Sequence, residues 1–212
     1  MAAAAPAIGF YGERAQLGGA GMTPPWAAGG RGAYFGQPIV ILGGSSSVGQ
    51  YGKSGFTDEN FYTCSCHIAI QFAKLSGFSP IITTVSPDNN TLVTRLGATH
   101  IFDRSLRPAE ISAAITTVTS LPIATIFDAI SIPETQQLAY NLLAMGGTLI
   151  LTQDDEVKKS EQKEVDVVRM WGNVYVPVNM KFGREFYAHL GELLATGDIK
   201  VSSSRRIHSQ CN

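Results

Sequence analysis

The sequence predicts an α/β fold, a doubly wound parallel sheet covered by helices on both faces. Three observations carry this. Short apolar runs alternate with stretches of helical period. The runs are uninterrupted rather than alternately polar, as strands buried on both faces require. Glycine or proline punctuates most junctions between them.

Ile39-Val40-Ile41-Leu42 is the first strand, ended by Gly43-Gly44. Residues 68–75 have helical spacing, and Gly77 stands where that helix stops. Ile81–Val85 is the second strand; residues 89–96 form a helix ended by Gly97, and residues 100–102 a short third strand. Pro108–Val118 reads as helix, with proline in its first turn. Residues 123–128 make the fourth strand, 134–143 a helix, and Thr148–Leu151 the fifth strand. Val174-Tyr175-Val176 is the candidate sixth strand, and 183–194 a closing amphipathic helix ended by Gly197. Right-handed crossovers wind such a series on both sides of one sheet.

With 44% hydrophobic and 16% charged residues, the 212-residue chain has enough apolar material for one core. A formal net charge of −1 offers no field for nucleic acid or an anionic membrane. No apolar run approaches the ~20 residues that span a bilayer, and residues 1–8 lack the basic start of a signal peptide. Three cysteines (Cys64, Cys66, Cys211) are too few for a disulfide framework. A cytoplasmic protein acting on a small molecule is expected. Residues 1–37, rich in glycine, alanine and proline, read as an irregular segment, residues 38–200 as the domain, and 201–212 as a tail.

Gly43-Gly44-Ser45-Ser46-Ser47-Val48-Gly49 links the first strand to the first helix. In an open α/β sheet this turn faces the crevice at the strands' carboxyl ends, where a helix N-terminus attracts anions. Glycine lets backbone approach a pyrophosphate, and small hydroxyls add hydrogen bonds. A tight turn that merely needs small residues is the plain alternative. A P-loop does not fit: Gly44 to Gly49 is followed by Gln50-Tyr51, and Gly52-Lys53-Ser54 has Ser47 where its first glycine belongs.

That turn with Gln50-Tyr51, then Ile70-Gln71-Phe72-Ala73-Lys74, Leu96-Gly97-Ala98-Thr99-His100 and Met145-Gly146-Gly147-Thr148-Leu149, resembles the cofactor domain of the medium-chain dehydrogenase/reductase superfamily. The likeness covers about residues 23–200 and is greatest for the zinc-free branch, with its quinone oxidoreductases and fungal trans-acting enoyl reductases. It implies a Rossmann domain and hydride delivery to an activated carbon–carbon double bond.

NADPH rather than NADH is the expected cofactor. A Rossmann site marks NAD with an acid ending the second strand, whereas Thr83-Thr84-Val85-Ser86 has none. Ser86 and the amides after it suit a 2′-phosphate, and the resemblance implies the same, through the Ser-Pro-x-Asn turn of the fungal reductases. Asp88, in Ser86-Pro87-Asp88-Asn89, brings an opposing charge. The same residues also suit a proline-initiated helix entry with Asp88 and Asn89 as caps. Arg104, after the third strand, is a candidate for adenine or phosphate contact, or an ordinary surface arginine.

Residues 52–69 interrupt the motif helix, which in the family runs from the tyrosine through an alanine into Ile-Gln-x-Ala-Lys. Ser86 stands 37 residues beyond Gly49, where about 20 is usual. Gly52-Lys53-Ser54 can be encoded with a splice donor, and His67-Ile68-Ala69 with an acceptor. Excision between them removes 17 residues in frame and restores Tyr-Ala-Ile-Gln. A retained intron is the expected origin. Cys64-x-Cys66-His67 lacks zinc-site spacing and a second ligand pair, so no metal site is expected.

The resemblance also implies an N-terminal catalytic domain, to which Thr23-Pro24-Pro25-Trp26 looks like the join. Residues 1–37 then read as the remnant of that join, and catalysis as incomplete. The alternative is a non-enzymatic nucleotide-binding fragment, or the misfolded product of a mis-spliced gene. His67, His100, His189, His208, Tyr51 and Tyr140 read as packing, surface or insertion residues rather than catalysts. Val174-Tyr175-Val176 as an edge strand would allow a homodimer.

Overall fold

A computed structural model describes residues 4–14, 19–44 and 65–200. In chain order these form α1 (Ala4–Tyr11), β1 (Ile39–Leu42), α2 (Ser65–Leu75), β2 (Ile81–Val85), a 3-10 turn (Pro87–Asn89), α3 (Asn90–Leu96) and β3 (His100–Asp103). Then come α4 (Pro108–Val118), β4 (Thr125–Asp128), α5 (Pro133–Leu142), β5 (Thr148–Leu151), β6 (Asp166–Arg169) and α6 (Pro177–Ala195).

All six strands are parallel, in the order β3-β2-β1-β4-β5-β6. The order reverses between β1 and β4, which opens a crevice at the carboxyl ends of those strands. β1, β2, β4 and β5 are buried throughout, while the edge strands β3 and β6 are partly exposed and carry charged or polar ends. The pleat sends alternate residues to opposite faces. Ile39, Ile41, Phe127 and Ile150 pack in one core with α1, α2 and α6, and Val40, Leu42, Ile126 and Leu149 in another with α4 and α5.

Two expectations need correction. The segment 1–37 is not irregular throughout: α1 is a buried helix, and Phe10 meets Phe127 with ring centroids 5.4 Å apart. Its alanines favour helix, and Gly9 lets it lie close on the sheet, since a β-carbon there would stand 3.3 Å from both Ile150 and Phe127. Tyr11 anchors the other end, its hydroxyl bonded to Ser76 and donating to the carbonyl of Phe72. The sixth strand is Asp166–Arg169, not 174–176. Val174 is buried, Tyr175 is 72% exposed, and Val176 is the N-cap of α6, whose first turn holds Pro177. The homodimer expectation placed on 174–176 therefore loses its edge strand.

Of the segment 52–69, residues 65–69 are not looped out: they open α2 and bury Cys66, Ile68 and Ala69.

Candidate functional site

The carboxyl ends of β1 and β2 are tied together by the two threonines of β2. Gly43 has a φ of +76°, which favours glycine, and its amide donates to Thr84 Oγ1 at 3.0 Å. The Gly44 amide donates to the Thr84 carbonyl at 2.9 Å, and Thr83 Oγ1 donates to the Ile41 carbonyl at 2.7 Å. A β-carbon on Gly44 would lie 2.2 Å from that Thr83 oxygen. Both glycines are thus demanded by the turn itself, whatever it binds. Ser45, Ser46, Ser47, Val48 and Gly49 lie outside the described residues.

Beside this turn stand the tips of β2 and β3. Ser86 is half-buried and extended, and its carbonyl accepts the Asn89 amide at 2.9 Å; Asn89 is itself buried. The Arg104 amide donates to the Val85 carbonyl at 3.0 Å, which sets Arg104 across from Ser86. Arg104 is exposed. Its neighbour Asp103 turns its carboxylate onto the Ser105 amide and hydroxyl, both at 2.8 Å, and these bonds hold it below the usual carboxylate range. One corner of the rim therefore gathers Gly43, Gly44, Ser86, Asn89 and Arg104.

The other half of the rim holds a buried polar network that sequence reasoning missed. Asp128 ends β4 and is fully buried. Its Oδ1 accepts the amides of Ile130 and Ser131 at 2.9 and 2.8 Å, while Oδ2 has no partner among the described residues. Burial pushes the carboxyl up to about 6, against the hydrogen bonds that lower it. Ser131, at φ +53°, accepts the Thr152 amide on its Oγ at 2.9 Å. Gln136, also fully buried, donates to the carbonyls of Ser131 and Asp154 and accepts the Glu156 amide. The legible signal was an acid closing the apolar run Ile126-Phe127.

His100 opens β3, so it lies at the opposite rim. His189 stacks on Trp26, and the Tyr140 hydroxyl accepts the Ser160 amide at 2.8 Å. His67 is 2% exposed, with neither ring nitrogen partnered among the described residues, and burial lowers its pKa to about 4. Tyr51 and His208 lie outside the described residues. Among the described residues no group of three or more His, Cys, Asp or Glu could hold a metal, and no helix is long and apolar enough to cross a membrane.

Strand order and rim give the chain a Rossmann-type α/β fold. Residues 66–173 match the zinc-binding dehydrogenase family, and the chain belongs to it, within the enoyl reductase branch of the medium-chain dehydrogenase/reductase superfamily. It is 30% identical over 178 residues to trans-enoyl reductase ACTTS2 of Alternaria alternata, covering 77% of this chain and 48% of the relative. It is 27% identical over 180 residues to trans-enoyl reductase resD of Aspergillus sclerotiorum, covering 78% and 45%. The chain thus spans about half the length of these relatives. Among solved structures, CurK enoyl reductase superposes with a TM-score of 0.66 at 15% identity, covering 95% of this chain and 51% of that one. Mycobacterial Rv1454c complexed with NADPH gives 0.60 at 17%, covering 80% and 48%.

Proposed function

We propose that this chain is the NADPH-binding domain of a zinc-independent reductase that acts on an activated carbon–carbon double bond. The observation that carries the cofactor choice is the tip of β2: Ser86 follows the strand without a carboxylate, and Arg104 is exposed on the adjoining tip. A 2′-phosphate fits there, with Arg104 supplying charge-assisted hydrogen bonds and Ser86 a hydroxyl. Gly43 and Gly44 bring the backbone of the β1 turn to the crevice, where Ser45, Ser46, Ser47, Val48 and Gly49 would receive the pyrophosphate. NADPH, when bound, supplies the hydride; this domain holds it and presents its nicotinamide at the crevice. Asn89, buried with its amide on the Ser86 carbonyl, supports this tip and completes the proposed cofactor-binding set. The substrate is a small enoyl or quinone-type molecule, taken up in the cytoplasm. Zinc independence rests on the resemblance of the motifs to the zinc-free branch.

Fluorescence titration of the 212-residue chain with NADPH and NADH tests the reading. Saturable binding that favours NADPH is expected; no binding of either defeats it.

A further inference from the structure

The crevice at a switch point is straddled by a dinucleotide, one half over β1, β2 and β3 and the other over β4 and β5. The first half falls on Gly43, Ser86 and Arg104. The second falls on the loop 129–132 and on Thr152, which follows β5. We propose that Asp128 is a positioning residue for the nicotinamide half: it folds the loop 129–132 and, through Ser131, fixes that loop to Thr152. The proposal rests on the nucleotide-binding reading above.

Asp128 is fully buried, so it acts through the loop rather than on the ligand. Its Oδ1 draws in two successive amides, of Ile130 and Ser131. Ser131 then returns a bond from its Oγ to the Asp128 carbonyl at 2.7 Å, while the same Oγ accepts the Thr152 amide. The Thr152 hydroxyl lies 3.2 Å from Ser131 Oγ and donates to the Ala129 carbonyl at 3.4 Å. Gln136 Nε2 grips the Ser131 carbonyl from the α5 side at 3.0 Å. The left-handed conformation of Ser131 is thereby over-determined, as strained residues at ligand clamps are. Oδ2, without a partner among the described residues, burdens the fold at the place where the crevice opens, and local rules are broken chiefly where a site benefits.

The test compares two probes on the full chain, NADPH and 2′,5′-ADP, which carries only the adenosine half. Asp128→Ala removes the one oxygen that accepts both amides, and NADPH affinity should fall about tenfold with 2′,5′-ADP affinity unchanged. Asp128→Asn keeps the acceptor and should restore NADPH affinity to within about twofold. Should the alanine variant fail to fold, Ser131→Gly replaces it: glycine accepts the positive φ and loses the hydroxyl's bonds to the Asp128 carbonyl and to Thr152 while keeping its amide on Asp128 Oδ1. It should weaken NADPH about fivefold and spare 2′,5′-ADP. Equal loss of both probes, or loss of neither, overturns the proposal while the nucleotide reading stands. A wild-type chain that binds neither probe overturns both.

Discussion

Asp128 and Ser131 close a ring of two hydrogen bonds: the Ser131 amide donates to Asp128 Oδ1 at 2.8 Å, and the Ser131 hydroxyl donates back to the Asp128 carbonyl at 2.7 Å. The ring leaves Oδ2 in the interior without a hydrogen-bond partner of good geometry among the described residues. That orphaned oxygen makes the fold sensitive to acid in an uncommon direction.

Burial raises the Asp128 carboxyl from 3.8 to about 6, so the native state holds this proton more tightly than the unfolded chain. The destabilisation is absent below pH 3.8 and complete above pH 6, where it reaches about 3 kcal/mol. Asp128→Asn should therefore match wild type in stability near pH 4 and exceed it increasingly towards pH 6 and beyond. His67 works oppositely: lowered from 6.5 to about 4, it destabilises as pH falls through that window. His67→Phe should gain on wild type as acid is added. Thermal unfolding of the three proteins between pH 4 and 7 checks both; parallel curves would refute the assignment.

Gly44→Ala should destabilise the domain by about 1–3 kcal/mol, because the new methyl meets Thr83 Oγ1. Combining it with Thr83→Ala should recover part of that loss, a coupling between touching residues that urea unfolding of the double-mutant cycle measures.

Cofactor choice should reverse at the β2 tip. A carboxylate in Ser86→Asp repels a 2′-phosphate, so NADPH affinity should drop about tenfold, roughly 1.4 kcal/mol, with NADH binding kept. Arg104→Ala should weaken NADPH alone, and less so at high salt, where the wild-type contact is already screened. Titration with both cofactors at two salt concentrations distinguishes these outcomes.

Deleting residues 52–68, to join Tyr51 directly to Ala69, should tighten NADPH binding about fivefold, the value of a helix terminus facing a phosphate at about 1 kcal/mol. In the joined helix Val48, Gly49, Gln50 and Tyr51 take the places of Ser65, Cys66, His67 and Ile68. Gln50 would stand where His67 now sits with both ring nitrogens unpartnered. Weaker binding by the shortened chain would argue for a native loop.

Much of the fold was legible locally. Ile39–Leu42, Ile81–Val85, Pro108–Val118 and Thr148–Leu151 have the bounds that their apolar runs and flanking glycines or prolines predict. β6 was hidden because Asp166 and Arg169 close each end of a two-valine core, a pattern indistinguishable from loop without the neighbouring β5. α1 was hidden because Pro6 and Gly9 look like breakers, whereas Gly9 is what lets the helix touch the sheet. On the rim, Ser86 and Arg104 could be named from their places after strands. The Asp128 network could not, since Ser131 and Thr152 are 21 residues apart and meet only when β4 and β5 pair.

α1 precedes every other described element in the chain, yet it cannot be fully sheltered early. Tyr11 meets Phe72 and Ser76 about sixty residues later, but Phe127, Ile150 and helix α6 come more than a hundred residues later. During translation the rest of an oily helix must wait, exposed, for the back half of the molecule. Chaperone demand should accordingly track this stretch, and polar replacements there should ease aggregation of nascent chains while weakening the finished protein.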